Sequence, residues 1–185
     1  MSRNTLSLGP RGSPPLQPGE SLLASGNTAD IELRIPATMD GPKRVESAKG
    51  QLWLTDLRII FVADSGGAGS SSSSSSSAAA AAPPSYDASE GIRSLVIPYS
   101  VLISSTFHLP TFSPNHLLLS FLPDLSPSAP SNLPTLGRGG KLEVKLLIGE
   151  GAGHEVWKRI EGERGRWEDI RRREGEEALP VYTPN

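Results

Sequence analysis

Three histidines are the side chains of this sequence best suited to proton transfer near neutral pH, and their spacing is the first chemistry to weigh. His108 and His116 stand eight apart across the proline-containing stretch HLPTFSPNH, so a hairpin there would bring the two imidazoles together, while His154 lies further on in GAGHEVW. Two imidazoles make only part of a metal site, because zinc wants three or four protein ligands. Neither His108 nor His116 has an adjacent carboxylate, and the chain has no cysteine. That also excludes disulfides, thiolate metal sites and cysteine nucleophiles. No G-x-S-x-G elbow, H-E-x-x-H pair or P-loop occurs. The expectation is a pair of strand-end histidines, no cofactor, no metal and no catalysis.

The segment LLIGEGAGHEVW reads as strand, glycine-rich turn and helix, with Gly149, Gly151 and Gly153 in G-x-G-x-G spacing. Such a turn can hold a phosphate against the amides of a helix N-terminus. A dinucleotide fold needs a second parallel strand about twenty residues further on, and no strand pattern follows this helix. A simple strand-to-helix connection is the expectation.

Binding chemistry is better represented. Eight serines and five alanines, residues 70–82, lead into Pro83-Pro84-Ser85-Tyr86. A Ser/Ala tract offers too little apolar area to repay the entropy of ordering, so it is expected to solvate and extend. Pro83 and Pro84 favour polyproline II, and Tyr86 falls on the face of Pro83 because that helix has three residues per turn. The aromatic groove of a WW domain reads such a P-P-x-Y face. Leu179-Pro180-Val181-Tyr182 repeats the pattern as L-P-x-Y near the end of the sequence. Two such peptides would let tandem WW domains bind with avidity. Pro15-Leu16-Gln17-Pro18 has the PxxP spacing of an SH3 ligand, with Arg11 one place too far upstream for the usual basic anchor.

These peptides need a scaffold, and composition bounds it. The 185 residues carry 18 basic and 20 acidic side chains, interleaved along the chain, for a net charge of -2. That balance argues against a large basic footprint, so direct nucleic-acid binding is not expected. No apolar run approaches the roughly 20 residues that span a bilayer, and the first twenty lack a secretory apolar stretch. A soluble intracellular protein is the simplest expectation. Short apolar runs separated by turn formers read as strands at 21–24, 29–35, 50–54, 58–63, 94–99, 101–109, 116–122 and 141–149. In GQLWLTDLRIIFVAD, Leu52 and Leu54 face one way and Trp53 the other, with Thr55-Asp56 at a tight turn. Leu142, Val144 and Leu146 alternate with Lys141, Glu143 and Lys145, as in a sheet wet on one side. Only 153–177 looks helical, with Val156, Trp157, Ile160, Trp167 and Ile170 along one face. Gly162 and Gly165 are expected to weaken it.

With strands, one helix and an exposed P-P-x-Y in hand, the chain resembles the WW-domain-binding protein 2 family, whose N-terminal part is a GRAM domain. The resemblance is carried by GESLLAS at 19–25, KGQLWLTDLRIIFVAD at 49–64, SLVIPYSVL at 94–102 and KLEVKLLIGEGAGHEVWKRI at 141–160. It implies a mainly β (α+β) fold: a pleckstrin-homology-like, GRAM antiparallel barrel or sandwich of about seven strands capped by one C-terminal helix. The organisation expected is a disordered start at 1–18, a GRAM-like domain at 19–173 with flexible insertions at about 65–90 and 123–140, and a tail at 174–185 carrying the L-P-x-Y motif. The family resemblance implies a non-enzymatic adaptor that binds WW domains of co-regulators and HECT-type ubiquitin ligases, acts as a transcriptional coactivator and associates with chromatin through partners, in nucleus and cytoplasm. Longer members of the family carry several proline-tyrosine motifs in an extended tail, whereas here the one full P-P-x-Y falls inside the domain. The WW-binding residues are then Pro83, Pro84, Tyr86, Leu179, Pro180 and Tyr182. The alternative is a phosphoinositide- or membrane-binding module, with Lys43, Arg44, Lys49 and Arg58 bracketing the first hairpin as its basic site.

Overall fold

Alternation of apolar and polar residues along the strands dictates a sheet with one dry face, and a single curled antiparallel sheet is what forms. The computed structural model describes residues 2–6, 13–38, 42–64, 91–123, 133, 136, 140–149 and 151–177. The strands are β1 (Ser2–Arg3), β2 (Leu22–Ile35), β3 (Arg44–Thr55), β4 (Arg58–Ala63), β5 (Ser94–Pro98), β6 (Leu102–His108), β7 (His116–Phe121) and β8 (Leu142–Ile148). One 3-10 turn, Tyr99–Val101, separates β5 from β6, and one helix, α1 (Gly153–Glu177), follows β8. The eight strands lie in the order β1-β5-β4-β3-β2-β8-β7-β6, every pair antiparallel.

The dry face is built by the expected alternation. Ala29, Ile31, Leu33 and Ile35 of β2, Leu52 and Leu54 of β3, Leu117, Leu119 and Phe121 of β7, and Leu142, Val144 and Leu146 of β8 share one buried cluster. Each fully buried Leu, Ile or Phe contributes about 1.5–3 kcal/mol over an exposed one. Trp53 points the other way, into a second cluster with Ile60, Val62 and Val96. β4 is therefore apolar on both faces, which is why RIIFVA reads as an unbroken apolar run rather than an alternating one.

Small side chains let three strands approach closely at one row. Ala29 pairs with Gly50 and Gly50 with Ala63, a row of minimal residues across three strands. A Cβ placed on Gly50 would stand 2.0 Å from the carbonyl oxygen of Val62 and 2.7 Å from Cα of Ala63. Glycine in a strand marks such a close approach. β2 is one strand of 14 residues rather than the two short runs expected at 21–24 and 29–35. It stays continuous by shifting register between Leu22, Ala24 and Asn27, where Gly26 takes φ 70°.

Helix α1 closes the barrel with Val156 and Ile160 fully inside the main cluster and Trp157 and Trp167 packed against it. The Trp167 indole N–H donates to the Asp56 carbonyl at 3.2 Å, fastening the helix to the β3–β4 turn. Glu161 accepts hydrogen bonds from Ser105 of β6 and from Arg164. Burial alone would raise the Glu161 carboxyl, but the Arg164 and Ser105 hydrogen bonds and the Arg164 charge hold it below its usual range. Ile170 departs from the expected stripe: it is exposed. Gly162 and Gly165 do not interrupt the helix.

Three features add to the expectations. Among the described residues the sheet has eight strands, with Ser2–Arg3 as an edge strand on β5 beside the seven or so expected. The start of the chain is thereby tied down over residues 2–6. Asn4, at φ 55°, accepts the Arg93 and Ser94 amides through its side-chain oxygen at 2.7 and 3.1 Å and donates to the Gly91 carbonyl at 3.1 Å. Arg3 reaches Glu46 at 2.9 Å with both side chains buried, and Leu6 packs on the outer cluster. Finally, Leu133, from the loop expected to be a flexible insertion, is buried in the main cluster, and Leu136 packs against it.

Strand polarity sorts the connections between two ends. The β3–β4 turn, the β6–β7 hairpin and the start of α1 lie at the end where β2 begins. The strand ends that bound the β2–β3, β4–β5 and β7–β8 connections lie at the other.

Candidate functional site

The four cations proposed to bracket the first hairpin are not brought together. Lys43 is exposed before β3. Arg44 turns to Glu46 at 3.3 Å. Lys49 has the opposite parity in β3, so it projects from the other face, where it meets Asp30 at 3.5 Å. Arg58 is committed to structure: its Nε and Nη2 donate to Oε1 and Oε2 of Glu20, both at 2.8 Å, a two-pronged pairing with a carboxylate whose side chain is 0% exposed. Thr55 donates its hydroxyl to the same carboxylate at 2.7 Å and accepts the Arg58 amide at 3.0 Å, and the Gln17 amide completes the set at 2.6 Å. Burial pushes the Glu20 carboxyl up, and the Arg58, Gln17 and Thr55 hydrogen bonds with the Arg58 charge outweigh it, leaving it below its ordinary value. The T-x-x-R portion of the sequence motif is thus a turn-locking device.

The wet face of β2 and β8 is no basic platform either. Lys145 and Arg34 both face Glu32 at 3.7 Å, and Lys141 faces Glu143 at 3.1 Å. Each cation meets a carboxylate across or along the strands, so the face is a neutral mosaic.

Chemistry-bearing residues do gather at the end where β2 begins. His108 and His116 form the last pair of the β6–β7 ladder, and their rings stack with centroids 5.0 Å apart and planes 14° from parallel. The hairpin anticipated from HLPTFSPNH is present. His154, in the first turn of α1, lies on the other side of β6, 5.7 Å from the ring of Phe107, which stacks on Trp157 at 6.2 Å. All three histidines therefore flank one hairpin, but no group of three or more metal-capable side chains forms among the described residues.

Beside the hairpin a cavity of about 390 Å³ opens between β2, the end of β8 and the start of α1, lined by Thr28, Asp30, Phe107, Asn115, Gly149 and Gly153. The G-x-G-x-G spacing has a packing cause here. A Cβ on Gly149 would meet Oγ1 of Thr28 at 2.4 Å, and one on Gly153 would meet the Phe107 ring at 3.1 Å, while Gly151 turns the chain at φ 71°. Among the described residues the only charged side chain lining this cavity is the Asp30 carboxylate, which does not favour a phosphate.

The hairpin tip is the feature that sequence reading missed. Leu109 is 70% exposed and Phe112 100% exposed. The signal was available as two large apolar residues among prolines and small polar residues, in a stretch read only for its histidines. Pro83, Pro84, Tyr86, Leu179, Pro180 and Tyr182 lie outside the described residues.

With fold and site in view, comparison with solved structures assigns the class. The chain is similar to the Vps36 N-terminal PH domain, with TM-score 0.52 and 16% identity over 89% of this chain and 92% of that one. No protein-family model matches the chain, and no curated protein matches its sequence. The fold is pleckstrin-homology-like: a curled antiparallel half-barrel with one C-terminal helix.

Proposed function

We propose that this chain is a non-catalytic adaptor, a pleckstrin-homology-like scaffold that presents proline-tyrosine peptides to WW domains in transcriptional coactivation or ubiquitin-ligase recruitment. One observation supports it above the others. The P-P-x-Y peptide belongs to the β4–β5 connection, and both ends of that connection are pinned by sheet: Val62 pairs with Ser94, and the Ala63 amide donates to the Arg93 carbonyl at 2.8 Å. The strand ladder sets the closure geometry, and further loop length then costs only logarithmically in entropy. A long peptide-bearing insertion is tolerated at that place in the fold without disturbing the core.

Tyr86→Ala is expected to weaken binding of purified WW domains by about tenfold or more, as loss of an aromatic anchor does. Tyr86→Ala combined with Tyr182→Ala is expected to abolish it. Calorimetric titration of the intact chain and both variants checks this, and undiminished affinity in the double variant would end the reading. Phosphoinositide capture through Lys43, Arg44, Lys49 and Arg58 has less support, since three of the four are ion-paired. Membrane contact rests on a different observation, the hairpin tip.

A further inference from the structure

We propose that the β6–β7 tip is a membrane-contact element that places Leu109 and Phe112 in the interfacial layer of a lipid bilayer. Scattered apolar residues on a surface need no explanation. Two within four residues of one turn, at 70% and 100% exposure, are a different matter, because the chain leaves both large side chains mostly or wholly in water.

The chemistry of the turn selects the occupant. From Leu109 to Asn115 the residues are L-P-T-F-S-P-N, without a single charge. A formal charge carried into the bilayer is costly, and this segment carries none. Its flanks are the stacked His108 and His116 imidazoles, amphipathic rings suited to headgroup depth. Pro110 and Pro114 restrict the backbone of the turn, and Nδ1 of His116 lies 3.3 Å from the Pro114 carbonyl oxygen. A turn held in this way loses little entropy on binding. Its form is a narrow wedge, whereas a specific protein interface needs about 1,000 Å² of complementary surface. Thr111, Ser113 and Asn115 around the wedge are all exposed. A fluid lipid interface closes around such a wedge without a matching pocket.

This inference does not depend on the WW reading. The tip and the ends of the β4–β5 connection lie at opposite ends of the strands, so one molecule can use both. The test is sedimentation of the full chain with phosphatidylcholine vesicles, with and without phosphatidylserine, comparing wild type with Phe112→Ser, Leu109→Ser and Ser113→Glu. Weak, reversible partitioning of the wild type into both vesicle types is expected, as suits two buried side chains. Phe112→Ser is expected to lower it about tenfold, Leu109→Ser somewhat less, and Ser113→Glu to lower it by adding charge at the tip. Denaturation midpoints should stay near the wild-type value, because both side chains are largely exposed. Phe112→Trp should shift its emission to the blue with vesicles and be quenched by brominated lipid. Wild type left in the supernatant would overturn the proposal and point to a protein pocket as the partner of the tip. So would equal sedimentation of all variants, or binding to phosphatidylserine vesicles that the substitutions leave unchanged.

Discussion

Gly50→Ala is expected to destabilise the fold by about 3 kcal/mol or more, although it adds one methyl group to a strand that otherwise welcomes apolar residues. The new Cβ would overlap the Val62 carbonyl oxygen, 2.0 Å away, and the Val62 carbonyl carbon, 2.8 Å away. Both belong to the backbone of the paired strand, so no rotamer change relieves the overlap. β3 and β4 would have to separate at this row, and Ile59, Ile60 and Phe61, all buried, move with β4. Gly162→Ala is the control. That glycine lies on the exposed side of α1 with open space where a Cβ would go, so alanine should stabilise by up to about 1 kcal/mol. Urea denaturation of the two variants should give midpoints moved in opposite directions. Equal midpoints would mean that the two strands relax around the added methyl group.

Much of this architecture was legible because alternation survives wherever one face of a strand is wet. Leu142, Val144 and Leu146 against Lys141, Glu143 and Lys145 gave both strand and face, and Leu52-Trp53-Leu54 divided between two clusters as its period requires. The helix was legible through its stripe of Val156, Ile160 and Trp167, but not as far as Ile170, because periodicity places a residue on a face without saying whether anything covers it there. What escaped notice has identifiable causes. Ser2–Arg3 is too short for any periodic signal, and Asn4, whose hydrogen bonds reach Gly91, Arg93 and Ser94, acts across a separation that no local pattern records. Leu133 sits in a Pro- and Ser-rich loop with no strand or helix period around it, so its burial has no local cue. The pairing of the basic residues was not legible for a related reason: closeness in sequence says nothing about which cation meets a carboxylate, and Arg58 meets Glu20 from 38 residues away. The histidine hairpin was legible, whereas the tip it carries went unremarked because Phe112 reads as core material by type.

Glu20→Ala is expected to cost about 3–5 kcal/mol, the usual consequence of removing one partner from a buried ion pair. Arg58 would keep a guanidinium that is only 13% exposed, with just the Pro15 carbonyl left to receive it. The Thr55 hydroxyl and the Gln17 amide would each lose an acceptor. Replacing both partners, Glu20→Met with Arg58→Met, should destabilise less than either single change, because no charge is then left buried alone; a double-mutant cycle measures that coupling. The pH dependence has a definite sign. The Glu20 carboxyl is held below its ordinary 4.5 in the folded chain, so its contribution is complete above that value and is lost as pH falls through the lowered folded value. Wild type should therefore lose stability steeply below about pH 4.5, and Glu20→Gln should start lower and decline less over the same window. Parallel acid profiles for wild type and Glu20→Gln would show that this carboxylate is no more ionised in the folded chain than in the unfolded one, contrary to the four hydrogen bonds, two of them from the Arg58 guanidinium, that it accepts in the fold.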